Sequence, residues 1–67
     1  MRQEDVLSVL RSAGRPMTLN EICEELLLEP NPANRSNAHS RIRVLRKKGL
    51  VRLVGYTCRA AIWEAVQ

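Results

Sequence analysis

Between Arg35 and Lys48 the chain carries Ser36, Asn37, His39, Ser40, Arg43, Arg46 and Lys47, and no acidic side chain interrupts them. Nearly all of these polar groups can donate hydrogen bonds. Arginine can bridge guanine O6 and N7, asparagine can pair with adenine, and serine can reach phosphate or base. That chemistry suits a polyanion with readable edges, and it needs the donors on one side of a rigid rod. Helical spacing supplies the rod. Ala38, Ile42 and Leu45 fall on one stripe, so Ser36, Ser40, Arg43 and Lys47 point away from it. His39 and Arg46 take one flank, Asn37 and Val44 the other. Arg43 is the strongest candidate for reading a base, and the short side chains at Ser36 and Ser40 let the backbone approach a major groove closely. Arg46, Lys47 and Lys48 suit phosphates. A helix over about 35–48 is therefore the candidate element for binding double-stranded DNA.

Charge placement supports the same reading. Of the net charge of +4, residues 1–29 hold three cations (Arg2, Arg11, Arg15) against six anions, whereas residues 30–63 hold eight cations and no anion. A local cationic tract, more than the total, attracts a polyanion. A chain of 67 residues supports one core, so a single domain over 1–67 is expected, without an enclosed substrate pocket. Serine, histidine and carboxylates are never grouped as nucleophile, base and orienter, and every carboxylate except Glu64 lies in the first 29 residues, which points away from an enzyme. His39, the only histidine, has no cysteine or carboxylate at ligand spacing. Cys23 and Cys58 lack the paired spacing of a metal site and read as reduced, structural thiols. No cofactor, metal or small-molecule ligand is implied. Glu4 and Asp5 interrupt the first turn and no apolar run approaches about 18 residues, so neither a signal peptide nor a membrane partner is expected. The expected location is cytoplasmic, with the nucleoid.

The elements that must position the basic helix follow from local signals. Val6, Leu7, Leu10 and Ala13 recur at helical spacing behind Glu4 and Asp5, and Gly14 stops that first helix. Thr18 and Glu21 form a capping box, with Met17 and Ile22 as a hydrophobic staple, so a second helix begins near Leu19. Leu19, Ile22, Cys23 and Leu26 share its inner face, while Glu24 and Glu25 face water. The two prolines of Glu29–Asn34 forbid a continuous helix. Asn31 with Pro32 in the first turn, or Asn34, or Ser36, can cap the third helix, and a start at Asn34 to Ser36 is favoured. Arg41, at the edge of the buried stripe, is expected to pack its stem there and pair with a second-helix acid such as Glu25. Gly49 is the natural left-handed stop. Beyond it, Leu50–Val54 reads as a strand, Gly55–Arg59 as a turn and Ala61–Val66 as a returning strand. The expected class is mainly α within α+β: three helices and a C-terminal hairpin.

Three helices, the third ending in Leu45-Arg46-Lys47-Lys48-Gly49-Leu50-Val51 with Ile42 before it, and a hairpin containing Trp63 resemble the winged helix-turn-helix superfamily of small prokaryotic or phage transcription regulators. The resemblance spans essentially the whole chain. It implies that helix 3 is the recognition helix and that the wing, around Thr57, Cys58 and Arg59, touches the flanking backbone or minor groove, with Arg59 as its contact. Trp63 would pack the wing against helix 3. The connection between helices 2 and 3 is longer than the family's tight turn, and the wing is short. Winged domains that bind left-handed nucleic acid carry asparagine and tyrosine where this chain has His39 and Arg43, so that narrower resemblance fails.

The function expected is that of a small regulator of transcription. With no helix after the wing to form a dimer interface, it would rely on a partner protein or on weak homodimer pairing on DNA. The alternative is an adaptor that binds protein without touching DNA, through acidic helix 2 or the Leu27-Leu28 pair.

Overall fold

The computed structural model describes residues 1–66. Its order is α1 (Gln3–Ala13), α2 (Leu19–Glu25), α3 (Pro32–Lys47), β1 (Val51–Thr57) and β2 (Ala60–Ala65), three helices followed by a two-stranded antiparallel sheet. This is a mainly helical α+β arrangement.

Each helix begins or ends where a local group satisfies a backbone orphan. At the start of α1, the Arg2 amide donates to Asp5 at 2.9 Å, and at its end Gly14 sits in the left-handed region, with its amide reaching the Leu10 carbonyl. The Thr18 hydroxyl accepts from the Glu21 amide at 3.3 Å while the Glu21 carboxylate accepts from the Thr18 amide at 3.1 Å, which closes the expected capping box. Met17 and Ile22, the two ends of the expected staple, are both fully buried in the core.

The start of α3 differs from the favoured reading. Asn31 is the cap, its side chain accepting from the Asn34 amide at 2.8 Å, and Pro32 occupies the first turn. Asn34 is already helical, and its side-chain amide reaches back to the Glu29 carbonyl at 2.7 Å. The earlier start wins because the missing N–H of Pro32 falls where a helix has no acceptor to offer, and its fixed φ is already helical. At the other end, the Leu50 amide donates to the Leu45 carbonyl and the Gly49 amide to the Arg46 carbonyl, both at 2.9 Å, with Gly49 at φ 77°. These paired bonds form a Schellman stop.

The hairpin is longer in strand and shorter in turn than the sequence suggests. Gly55, Tyr56 and Thr57 belong to β1, and Ala60 opens β2. Only Cys58 and Arg59 turn, at φ 46° and 68°, the positive pair of a type I′ connection whose twist matches that of the strands. Leu53 pairs with Trp63 and Gly55 with Ile62, so Val54 is an extra residue on β1, a bulge. Beyond the bulge, Tyr56 pairs with Ala61. On the other side of β2, Met17 and Trp63 exchange two backbone hydrogen bonds of 2.8 Å each. A single extended residue between α1 and α2 is thus bonded to the hairpin.

One hydrophobic cluster joins all of these elements: Val6 and Leu10 of α1, Met17, Ile22 of α2, Ile42 and Leu45 of α3, and Val51, Trp63 and Ala65 of the hairpin. Burying each large side chain contributes about 1.5–3 kcal/mol. Among the described residues no helix is long and apolar enough to cross a membrane.

Candidate nucleic-acid interface

Helix α3 runs for 16 residues and fully buries only Ala38, Ile42 and Leu45, the stripe expected from spacing. Packing therefore fixes the helix along a narrow seam and leaves most of its circumference in solvent. Arg35, Ser36, His39, Ser40, Arg43, Arg46 and Lys47 are all exposed, and Asn37 is half-buried.

These residues separate into three groups. Ser40, Arg43, Val44 and Lys47 line a shallow hollow of about 270 Å³ on the outward side of α3. The Ser40 hydroxyl donates to the Ser36 carbonyl at 3.1 Å. Its proton is thereby engaged within the helix, and the oxygen is left to accept. Arg43 and Lys47 are the outward cations of this group.

A second group lies at the junction of α3 and the hairpin. The His39 ring stands 6.2 Å from the Trp63 ring at an interplanar angle of 50°. The Arg46 guanidinium lies 5.8 Å from the Trp63 ring centroid, within cation–π range. Trp63 is 4 % exposed, so this flank of α3 is set by an aromatic anchor, and Arg46 is partly engaged with it.

The third group is brought together by the tertiary fold. Arg35, from the start of α3, and Arg59, from the hairpin turn, line one hollow of about 470 Å³ with Asn20 of α2 and Cys58. Arg35 and Arg59 lie 24 positions apart in the chain, and sequence spacing gives no hint that they share a hollow. Nor did it mark Asn20, which has no helical-face relation to the basic tract. Burial pushes the Cys23 thiol up, with the charge of nearby Arg35 acting in the opposite direction. Cys23 is a core thiol, whereas Cys58 is exposed on the turn and does not pack in the core.

Other cations are drawn elsewhere. Lys48 donates to the Gln3 side chain of α1 at 3.3 Å. Arg52 donates through Nε to Glu64 across the hairpin at 2.8 Å. Arg41 does not pair with Glu25. It is half-buried beside Gln3 and Leu7 at the start of α1, while Glu25 lies beside Ser8 and Ser12. Its Nε is buried without a hydrogen-bond partner. Both residues flank α1, but at different turns, and the spacing of Arg41 on its own helix could not show which turn it meets.

Of the cations in residues 30–63, Arg35, Arg43, Lys47 and Arg59 are exposed and are engaged neither in the two ion pairs found among the described residues, Arg15–Glu21 and Arg52–Glu64, nor in the Trp63 and Gln3 contacts of Arg46 and Lys48. Such a surface can neutralise phosphates and donate to groove edges. No family model, no curated protein and no solved structure matches this chain.

Proposed function

We propose that this chain is a winged helix-turn-helix domain that binds double-stranded DNA, with α3 in the major groove and the β1–β2 hairpin as its wing. The observation that carries the reading is the outward face of α3: Arg43 and Lys47 stand exposed on the side opposite Ala38, Ile42 and Leu45, with no acidic residue from position 30 to 63. Arg43 reads a base, Lys47 holds phosphate, and Arg35 and Arg59 engage the backbone on either side of their shared hollow. The role that follows is a small regulator of transcription, without catalysis or cofactor, whose occupancy is set by concentration, by a partner protein or by weak pairing on DNA.

Titrating isotope-labelled protein with random duplex DNA while following amide shifts tests this. Shifts are expected in α3 and around Cys58 and Arg59, and affinity should fall roughly a hundredfold between about 50 and 200 mM salt if about four phosphates are neutralised. Shifts confined to α1 and α2 would overturn the reading.

One observation favours a second reading, a protein adaptor. Leu27 is 93 % exposed and sits in the left-handed region at φ 59°, where a leucine is strained. Glu24, Glu25 and Glu29 surround it in sequence. A partner with an apolar pocket rimmed by basic residues would fit this corner, and shifts limited to it on adding DNA-free partner would support the adaptor.

A further inference from the structure

Tyr56 is the only tyrosine in the chain, and it is 71 % exposed, so the core does not account for it. The register of the hairpin says which way it faces. Directly paired residues share a sheet face. Val51 pairs with Ala65 and Leu53 with Trp63, and all four lie on the side that packs against the helices. Arg52 and Glu64 pair on the opposite side and meet there as an ion pair. In an unbroken ladder the next residue on the helix side of β1 would be Gly55, with Tyr56 turned outward. The extra residue Val54 reverses that alternation. Tyr56 comes opposite Ala61, which packs partly against the core on the same face as Trp63.

The bulge therefore moves the phenol from the outer face of the hairpin to the face that carries Trp63. Trp63 in turn touches His39 and Arg46 of α3. Tyr56 lies two ladder positions beyond it, roughly 7 Å nearer the turn at the usual rise per residue. Its cross-strand neighbour is a small alanine, which leaves the ring uncovered, in contrast to the Leu53–Trp63 pair. A bulge that re-aims a side chain beside a binding surface is a recurring use of this irregularity.

We propose that Tyr56 is a further nucleic-acid contact, its hydroxyl donating to a backbone phosphate beside the groove that α3 enters, and that the Val54 bulge aims it there. This rests on the duplex-binding reading above. A phenol hydroxyl on phosphate positions the hairpin without reading sequence.

The test compares duplex affinity at fixed low salt for the wild type, Tyr56→Phe, Tyr56→Ala and a variant with one alanine inserted between Ile62 and Trp63, opposite Val54. Tyr56→Phe removes only the hydroxyl from an exposed side chain, and it is expected to weaken binding about three- to tenfold, equally on preferred and random duplexes. Tyr56→Ala should match it. The inserted residue gives Val54 a partner, restores the alternation and turns Tyr56 outward, so it should produce at least the same loss, and wild-type affinity in it would overturn the role of the bulge; if that variant does not fold, Tyr56→Phe decides alone. Wild-type affinity in Tyr56→Phe overturns the proposal, even where Tyr56→Ala is weak, because the ring and not the hydroxyl then matters. A wild type that fails to bind any duplex overturns the duplex reading and this proposal with it, so the two failures are distinguishable.

Discussion

Charged side chains on the two halves of the molecule are placed differently. In the first 29 residues three of them are engaged locally and the exposed remainder is mostly acidic: Arg15 reaches Glu21 at 2.9 Å, Glu21 closes the box at Thr18, and Asp5 accepts from the Arg2 amide, while Glu4, Glu24, Glu25 and Glu29 stand in solvent. On α3 and the hairpin turn, Arg35, Arg43, Lys47 and Arg59 are exposed and belong to neither ion pair of the described residues. Exposed charges cost little to leave in water, so stability alone does not require partners for them. The difference lies in what an added polyanion would find. It would meet repulsion or self-satisfied groups around α2, and unneutralised donors on a rigid support around α3.

The comparison breaks most completely if the support is removed. Ile42→Ala deletes the central residue of the seam under α3 and should cost about 3 kcal/mol, a large share of what a domain of this size has. Urea unfolding followed by Trp63 fluorescence should show a much lower midpoint, and an unchanged midpoint would mean that α3 is held by something other than its buried stripe. Next in size, Arg43→Ala should weaken binding to a preferred duplex by about 1–3 kcal/mol and relax base choice, whereas Lys47→Ala should weaken all sequences evenly and reduce the salt slope by about 1. Neither should change the unfolding midpoint. Equal, sequence-blind losses from both would reduce the basic face to non-specific attraction.

A smaller effect separates stability from binding at the hairpin turn. Cys58 and Arg59 occupy left-handed positions that Asn-Gly adopts with little strain. The double variant Cys58→Asn, Arg59→Gly should gain about 1 kcal/mol in stability while losing one phosphate contact on duplex DNA. A gain in both would show that Arg59 does not touch the nucleic acid.

The smallest effect concerns the acidic half. The Thr18 amide and the Arg15 guanidinium hold the Glu21 carboxyl below the ordinary glutamate range. A depressed folded value means that the stabilisation is complete above the unfolded value of about 4.3 and is lost as pH falls through the lower folded one. Glu21→Gln keeps a box-forming side chain but not the charge. Because the pair is solvent-exposed, the variant should be only a few tenths of a kcal/mol less stable at neutral pH, and the difference should vanish in strong acid. A pH-independent gap in urea midpoints would assign the effect to packing.

Caps and stripes were legible in the sequence because their rules act over three or four residues. Thr18 with Glu21, Gly14, Gly49, and the Ala38–Ile42–Leu45 seam all lie where spacing put them. Asn31, Asn34 and Ser36 offered three chemically equivalent caps, and the choice fell to Asn31 because Pro32 is compatible with its first turn. The parity of β1 was not legible. One extra residue at Val54 inverts everything beyond it, and alternation in so short an apolar run carries no mark of where it breaks. Long-range partners were hidden for another reason: the positions of Arg41, Lys48 and the Arg35–Arg59 pair depend on how helices cross. Of the candidate site, the face of α3 could be read from spacing and Arg59 on the hairpin from the family resemblance, whereas the hollow that Arg59 shares with Arg35 could not.

The two hydrogen bonds between Met17 and Trp63 have a consequence for motion. They tie the entrance of α2 to the same hairpin that contacts α3 through His39 and Arg46, so the three elements form a closed mechanical loop rather than a chain of hinges. Opening the hairpin away from α3 requires both of these bonds and the tryptophan's packing to yield together. The Met17 and Trp63 amides should therefore exchange with solvent among the slowest in the molecule, through global opening. A ligand held between α3 and the hairpin would meet a preset gauge whose width the protein cannot readily adjust.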